Sequence, residues 1–133
     1  MNPRYPLVAR RAGYRCEYCR APEAIFNLSF EVEHIVPKSK NGGDDESNWA
    51  LACRACNLHK ADQLDGFDAV TGQVARLFHP RQDLWEDHFR IDAESGTIVG
   101  LTAIGRTTVL LLQMNRPNQV AARRQWILLR LFP

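Results

Sequence analysis

The chain has 133 residues, of which 45% are hydrophobic and 24% charged, and its formal net charge is +2. This length supports one domain with a modest core, and the composition is typical of a globular protein rather than a disordered or fibrous one. No apolar run is long enough to cross a bilayer, and the first residues lack the apolar segment of a signal peptide. We therefore expect a cytoplasmic protein, in which thiols stay reduced.

The 17 basic residues are 14 arginines and 3 lysines. A guanidinium group binds two phosphate oxygens at once, which an ammonium group cannot do. The arginines therefore agree with a nucleic-acid partner, although a GC-rich genome produces the same excess. Charge alone does not decide between these explanations.

Short elements of mixed type are predicted in the first half of the chain. They are a helix over 7–12 that ends at Gly13, a turn over 16–19, a strand over 30–36 that ends at Pro37, a loop over 39–45, a helical turn from Ser47 or Asn48 to Leu51, and a helix over 57–62.

Residues 63–133 are predicted to be an extension that packs on residues 1–62, most simply as a single compact unit. Its predicted elements are a hairpin of strands 89–92 and 97–101, a helix over 102–114, and a last helix with Pro117 at its first position. Trp85, His79 and His88 are expected to pack in this extension. The fold class is therefore α+β, with a hairpin and two helices following the cysteine-containing half.

All four cysteines lie in two Cys-x-x-Cys pairs, Cys16/Cys19 and Cys53/Cys56. In a reduced compartment, two such pairs are typical of a closed tetrahedral zinc site that stabilises the fold. A thioredoxin-like redox pair is disfavoured, because neither pair lies in a βαβ pattern. The 33 residues between the pairs exceed the spacing of a simple zinc ribbon, so this insert is where chemistry is expected.

The insert contains Glu33-His34-Ile-Val-Pro37 and Asn48-Trp-Ala-Leu51, and the second cysteine pair continues as Cys56-Asn57-Leu-His59-Lys60. With the flanking cysteine pairs, this order resembles the HNH endonucleases, in the subtype that has paired zinc knuckles. The resemblance covers about residues 10–62. It implies a ββα-metal (His-Me finger) core and hydrolysis of nucleic-acid phosphodiester bonds with one divalent cation.

The resemblance also implies roles for four residues. His34 is the general base, a task that suits an imidazole because its pKa lies near neutral pH. Glu33 takes the position of a metal ligand that is more often Asp or His, and Asn48 supports the loop that holds the histidine. Asn57 is the preferred final metal ligand and His59 the alternative, because two positions apart on a helix they cannot both face one ion.

Oxygen ligands from Glu33 and Asn57 favour Mg²⁺ or Mn²⁺ as the catalytic cation, beside a structural Zn²⁺ on the cysteines. Contacts with nucleic acid, most simply double-stranded DNA, are expected from Lys38, Lys40, Arg54 and Lys60. A zinc-ribbon module that binds nucleic acid without cutting it is the alternative function. No membrane partner is expected, and the oligomeric state, including a homodimer, is left open.

Overall fold

The structure is a computed structural model and describes residues 2–133. Within this range the chain forms five α-helices and six strands, so the protein is α+β, as predicted. The helices are α1 (Tyr5–Arg11), α2 (Arg54–Lys60), α3 (Trp85–His88), α4 (Ala103–Leu111) and α5 (Pro117–Leu128), and the strands are β1 (Glu31–His34), β2 (Trp49–Ala52), β3 (Asp65–Asp68), β4 (Gln73–Arg76), β5 (Phe89–Asp92) and β6 (Thr97–Gly100).

The strands pair as three separate antiparallel hairpins, β1–β2, β3–β4 and β5–β6. In the first hairpin, Glu33 lies opposite Ala50 and His34 opposite Trp49. Both α1 and α2 pack against this hairpin. Together β1, β2 and α2 make a hairpin with a helix across it, which is the ββα unit expected from the resemblance.

The predicted helical turn from Ser47 or Asn48 to Leu51 is wrong. A short 3-10 helix covers Glu46–Asn48, where the Asp45 side chain accepts a hydrogen bond from the Ser47 backbone N–H, and β2 begins at Trp49. The reason is tertiary, because Trp49–Ala52 pairs with β1 and three of its four residues are buried. A local capping pattern cannot reveal a strand whose partner lies about 15 residues away.

The second half contains the predicted β5–β6 hairpin and the predicted helices, together with one hairpin that was not predicted. The Thr102 side chain accepts from the Gly105 backbone N–H at 3.0 Å and caps α4, and Pro117 begins α5. Helix α4 stops at Leu111, earlier than predicted, and Gln113 beyond it has a positive φ of 53°. The missed element is β3–β4, whose strand Asp65–Asp68 lacks the apolar alternation that indicates a strand.

One buried cluster connects the cysteine-containing half to the extension. The Trp85 indole donates to the Tyr18 carbonyl at 2.8 Å, and the Tyr18 and Phe78 rings meet edge to face at 6.4 Å. Division of the chain near residue 62 stays a prediction. None of the helices among the described residues has the length and apolar character needed to span a membrane.

Candidate zinc site and active site

The four cysteines are brought together as predicted. All four are buried, and their sulfur atoms lie within 4.8 Å of one another. The Cys19 and Cys53 sulfurs are 3.8 Å apart, close to the edge of about 3.8 Å in a ZnS₄ tetrahedron with bonds of about 2.3 Å. The first pair lies in the turn after α1, and the second pair begins α2. This donor set fits a structural zinc ion.

The sulfur atoms of this cluster interact with one another. Hydrogen bonds with neighbouring sulfurs, that of Cys16 first, raise the pKa of the Cys19 and Cys56 thiols and lower the pKa of Cys53. Four buried thiolates together need positive charge, and a bound Zn²⁺ supplies it.

His34 is the last residue of β1, and 21% of its side chain is exposed. Its Nε2 atom lies 2.9 Å from Oδ1 of Asp44, which belongs to the loop between β1 and β2. The ring is therefore held in place and is still reachable from solvent, as a side chain that exchanges protons with water must be.

Asn48 holds this loop closed. Its amide nitrogen donates to the carbonyls of Val36 at 2.9 Å and Gly43 at 2.7 Å, and its amide oxygen accepts from the Val36 N–H at 2.8 Å. Asn48 is 7% exposed, so these bonds are largely protected from water. They fix the chain just after His34 relative to the segment that carries Asp44.

Asp44, which the sequence did not single out, is surrounded by hydrogen-bond donors and cations. Its carboxylate lies 2.7 Å from Nη2 of Arg4, 3.8 Å from Nζ of Lys38 and 3.3 Å from the indole nitrogen of Trp49. The hydrogen bond from His34 is the largest cause that lowers the pKa of the Asp44 carboxyl. No local motif marks this cluster, because Arg4 and Asp44 are 40 residues apart.

Glu33, the expected metal ligand, is buried in this structure, and other side chains engage both of its carboxylate oxygens. It is 6% exposed, and one of its oxygens accepts a hydrogen bond from the Tyr18 hydroxyl. The other oxygen lies 3.4 Å from Nζ of Lys60. Burial raises the pKa of Glu33, and the positive charge of Lys60 opposes that effect.

Lys60 is likewise unavailable for the nucleic-acid contact that was expected of it. It is 1% exposed, and its ammonium group donates to the Ile35 carbonyl at 2.9 Å in addition to facing Glu33. Since an ammonium group is buried only when it is paired, Lys60 serves to join α2 to β1.

Asn57 and His59 face different surroundings. The Asn57 amide donates to the Glu31 carboxylate on β1, beside a cavity of about 460 Å³ that Tyr5 and Ser29 also line. His59 instead lines a second cavity with Arg116 and Gln119, and its Nδ1 atom is buried without a hydrogen-bond partner. Of the two candidates, Asn57 is the one with a described hydrogen bond to β1.

His34, Glu33 and Asn57 have different described hydrogen-bond partners, namely Asp44, Tyr18 and Glu31. Neighbouring strand residues project to opposite faces. Glu33 accordingly contacts Lys60 of α2, whereas His34 lies opposite Trp49, next to Arg4 at the start of α1. The Glu33–Asn57 pair as placed does not fit the predicted Mg²⁺ or Mn²⁺ site.

The other expected nucleic-acid contacts lie on the surface. The Lys38 side chain is 62% exposed, and Arg54 is exposed at the first position of α2. The Lys40 ammonium donates to the Asp62 carbonyl at 2.6 Å.

Comparison with known families identifies the segment that contains these residues. The family model described as HNH endonuclease matches residues 16–63. This segment is similar to the HNH endonucleases. The match begins at Cys16, includes β1, β2 and α2, and contains both cysteine pairs, so the HNH core is the ββα unit with paired zinc knuckles. Neither the curated proteins nor the solved structures give a match to the chain.

Proposed function

We propose that the protein is a metal-dependent endonuclease that hydrolyses phosphodiester bonds in DNA, with His34 as the general base. The HNH family of residues 16–63 supports a nuclease-type function. The observation that carries the finer proposal is the placement of His34, which is partly exposed at the end of β1 and followed by a loop that Asn48 ties together.

In the proposed reaction, the His34 imidazole takes a proton from a water molecule as the water oxygen forms a bond to phosphorus. The bond from phosphorus to the leaving oxygen breaks, and that oxygen then takes a proton from solvent water. A neutral imidazole suits the first proton transfer at neutral pH. Arg4 and Lys38 lie on the same side of the hairpin as His34 and offset the negative charge of the phosphate.

The proposal includes dependence on Mg²⁺ or Mn²⁺, a cation that would stabilise negative charge at the phosphate. No ligand is assigned to it, because the oxygens of Glu33 are engaged by Tyr18 and Lys60. Zn²⁺ belongs in this account to the four cysteines and has no part in the reaction.

A plasmid-cleavage assay tests the proposal. Purified protein is incubated with supercoiled DNA in Mg²⁺, in Mn²⁺ or in EDTA, and His34→Ala is compared with the control His79→Ala, a histidine outside residues 16–63. Cutting is expected only with a divalent cation, and His34→Ala is expected to lower the rate at least about 100-fold, with zinc content and circular dichroism unchanged. DNA binding without any cutting by the wild-type protein would instead establish the non-catalytic zinc-ribbon module.

A further inference from the structure

Three positively polarised groups other than His34 converge on the Asp44 carboxylate. They are the Arg4 guanidinium at 2.7 Å, the Lys38 ammonium at 3.8 Å and the Trp49 indole N–H at 3.3 Å. The Arg4 guanidinium also lies over the Trp49 ring, 4.6 Å from its centre, which orients it. Arg4 and Lys38 together carry one more positive charge than the Asp44 carboxylate neutralises.

The same donors suit a phosphate group. Carboxylate and phosphate both present negatively charged oxygens that accept hydrogen bonds from guanidinium, ammonium and N–H groups. A phosphodiester carries the same single negative charge as Asp44, so it can replace the carboxylate without changing the charge balance of the site.

The Asp44 side chain can leave this position without unfolding its loop. On one side the Gly43 carbonyl is held by Asn48 at 2.7 Å, and on the other the Asp45 side chain accepts from the Ser47 backbone N–H at 2.9 Å. The described hydrogen bonds and ion pairs of Asp44 all go to the donor groups around its carboxylate, which is 42% exposed. Rotation about its own side-chain bonds is therefore enough to vacate the site.

We propose that Arg4, Lys38 and the Trp49 indole form a binding site for a phosphate group of the nucleic acid, and that the Asp44 carboxylate occupies this site until phosphate displaces it. The identity of the phosphate as part of a DNA substrate rests on the proposed function. Displacement also frees Nε2 of His34, because Asp44 holds that atom at 2.9 Å. Asp44 thus masks the base and the phosphate site together, and phosphate binding exposes both.

The proposed phosphate site includes one residue, Arg4, from outside the HNH segment. It lies at the N-cap of α1, outside residues 16–63. The segment before the HNH core therefore contributes directly to the site and does more than support the hairpin.

The experiment titrates inorganic phosphate into ¹⁵N-labelled, zinc-loaded protein and follows the Trp49 indole N–H by NMR, with NaCl at matched ionic strength as the reference. The Trp85 indole, buried against the Tyr18 carbonyl, is an internal control. Asp44→Asn keeps the size of the side chain and removes the competing charge, so it is expected to tighten phosphate binding about tenfold. Arg4→Gln is expected to weaken binding by a similar factor, and Arg10→Gln, an exposed arginine of the same helix, is expected to have no effect.

Phosphate binding by Asp44→Asn that is no tighter than wild type, in a variant with unchanged thermal stability, would overturn the inference. So would an Arg4→Gln variant that binds phosphate as wild type does. The titration involves no cleavage, and its failure is therefore distinguishable from failure of the nuclease proposal. Phosphate binding as expected in a protein that never cuts DNA would leave the site standing and remove the catalytic function.

Discussion

The side chain of Asn48 forms hydrogen bonds with both backbone groups of Val36, donating to its carbonyl at 2.9 Å and accepting from its N–H at 2.8 Å. Val36 follows His34 by two residues, whereas Asn48 directly precedes β2. The two ends of a long loop are thus joined by one amide. The third bond, to the Gly43 carbonyl at 2.7 Å, positions the residue before Asp44.

Replacing Asn48 therefore should affect catalysis through the position of His34. Asn48→Asp keeps an acceptor for the Val36 N–H and loses both donated bonds, whereas Asn48→Ala loses all three. We expect losses of stability of about 1–3 kcal/mol, larger for Ala, and a fall in the cleavage rate that exceeds the effect on DNA affinity. Cleavage kinetics and amide hydrogen exchange at Val36 measure these effects, and unchanged exchange at Val36 in Asn48→Ala would contradict the role of the clamp.

The cysteine cluster predicts one tightly bound zinc ion per chain. Because the binding energy of a closed thiolate site is folding energy, Cys53→Ser is expected to lose zinc and native structure together. Elemental analysis and thermal unfolding monitored by circular dichroism measure both. A Cys53→Ser protein with normal thermal stability and no zinc would show that the cluster does not support the fold.

The sequence contained enough to predict the zinc cluster, because the two cysteines of each pair are close in the chain, whereas the ββα unit was expected only from the resemblance to the HNH endonucleases. It did not reveal that Trp49–Ala52 is a strand, since that outcome depends on pairing with β1. The β3–β4 hairpin was not predicted because its strands lack a buried apolar face that a sequence pattern could reveal. Phe67, the large apolar residue of β3, is 58% exposed.

Local sequence patterns also did not reveal which residues surround Glu33. Its place in a motif indicates a metal ligand, but the partners that occupy its oxygens come from Tyr18 and Lys60, 15 residues before it and 27 after it. The same is true of the cluster around Asp44, which takes Arg4 from α1. Sequence spacing predicts which residues are present in a site, and tertiary packing decides which of them face one another.

The buried Glu33–Lys60 pair makes a prediction about stability. Lys60→Met leaves the Glu33 carboxylate without its positive partner in the core. Removing one partner of a buried pair lowers the free energy of unfolding by about 3–5 kcal/mol. Adding Glu33→Gln to this variant removes that charge, so the double variant is expected to be more stable than Lys60→Met alone. Urea denaturation measures both free energies of unfolding.

A double variant that is less stable than Lys60→Met would show that Glu33 is not a buried charge paired with Lys60. Glu33 would then be free to serve as the cation ligand that the motif indicates. Measurement of Mn²⁺ binding by Glu33→Gln alone, at constant zinc content, separates these roles, and we expect this binding to match that of the wild type.

Asp83 provides a prediction about pH. It accepts two hydrogen bonds from the Arg76 guanidinium, at 2.7 Å and 2.9 Å, and one from the His79 N–H at 2.9 Å. The Arg76 interaction is the main cause that lowers the pKa of Asp83 to about 2. Because the pKa of Asp83 is lower in the folded state, its carboxylate stabilises the fold at pH values above the unfolded-state pKa of about 3.9. This contribution is lost as the pH falls through the folded-state pKa.

Asp83→Asn is therefore expected to lower the free energy of unfolding by about 1–2 kcal/mol at neutral pH. This value is reduced because Arg76 is partly exposed and solvent screens its charge. The difference between the free energies of unfolding of Asp83→Asn and wild type should stay constant between pH 8 and pH 5, because Asp83 titrates below that range. It should become smaller only under about pH 4. Chemical denaturation at a series of pH values tests this. A difference that changes between pH 8 and pH 5 would assign the effect to another group, with His79 the nearest candidate.

The central claim, that the His34 imidazole removes the proton from the attacking water, is tested most directly by chemical rescue. His34→Gly opens a space at the end of β1 that free imidazole can enter, and cleavage of DNA is measured with increasing imidazole and fixed Mg²⁺ or Mn²⁺. The account predicts a variant with no detectable cutting whose activity returns in proportion to imidazole, whereas the control His79→Gly cuts without imidazole and does not respond to it. A His34→Gly protein that cuts as fast as wild type without imidazole would contradict the account.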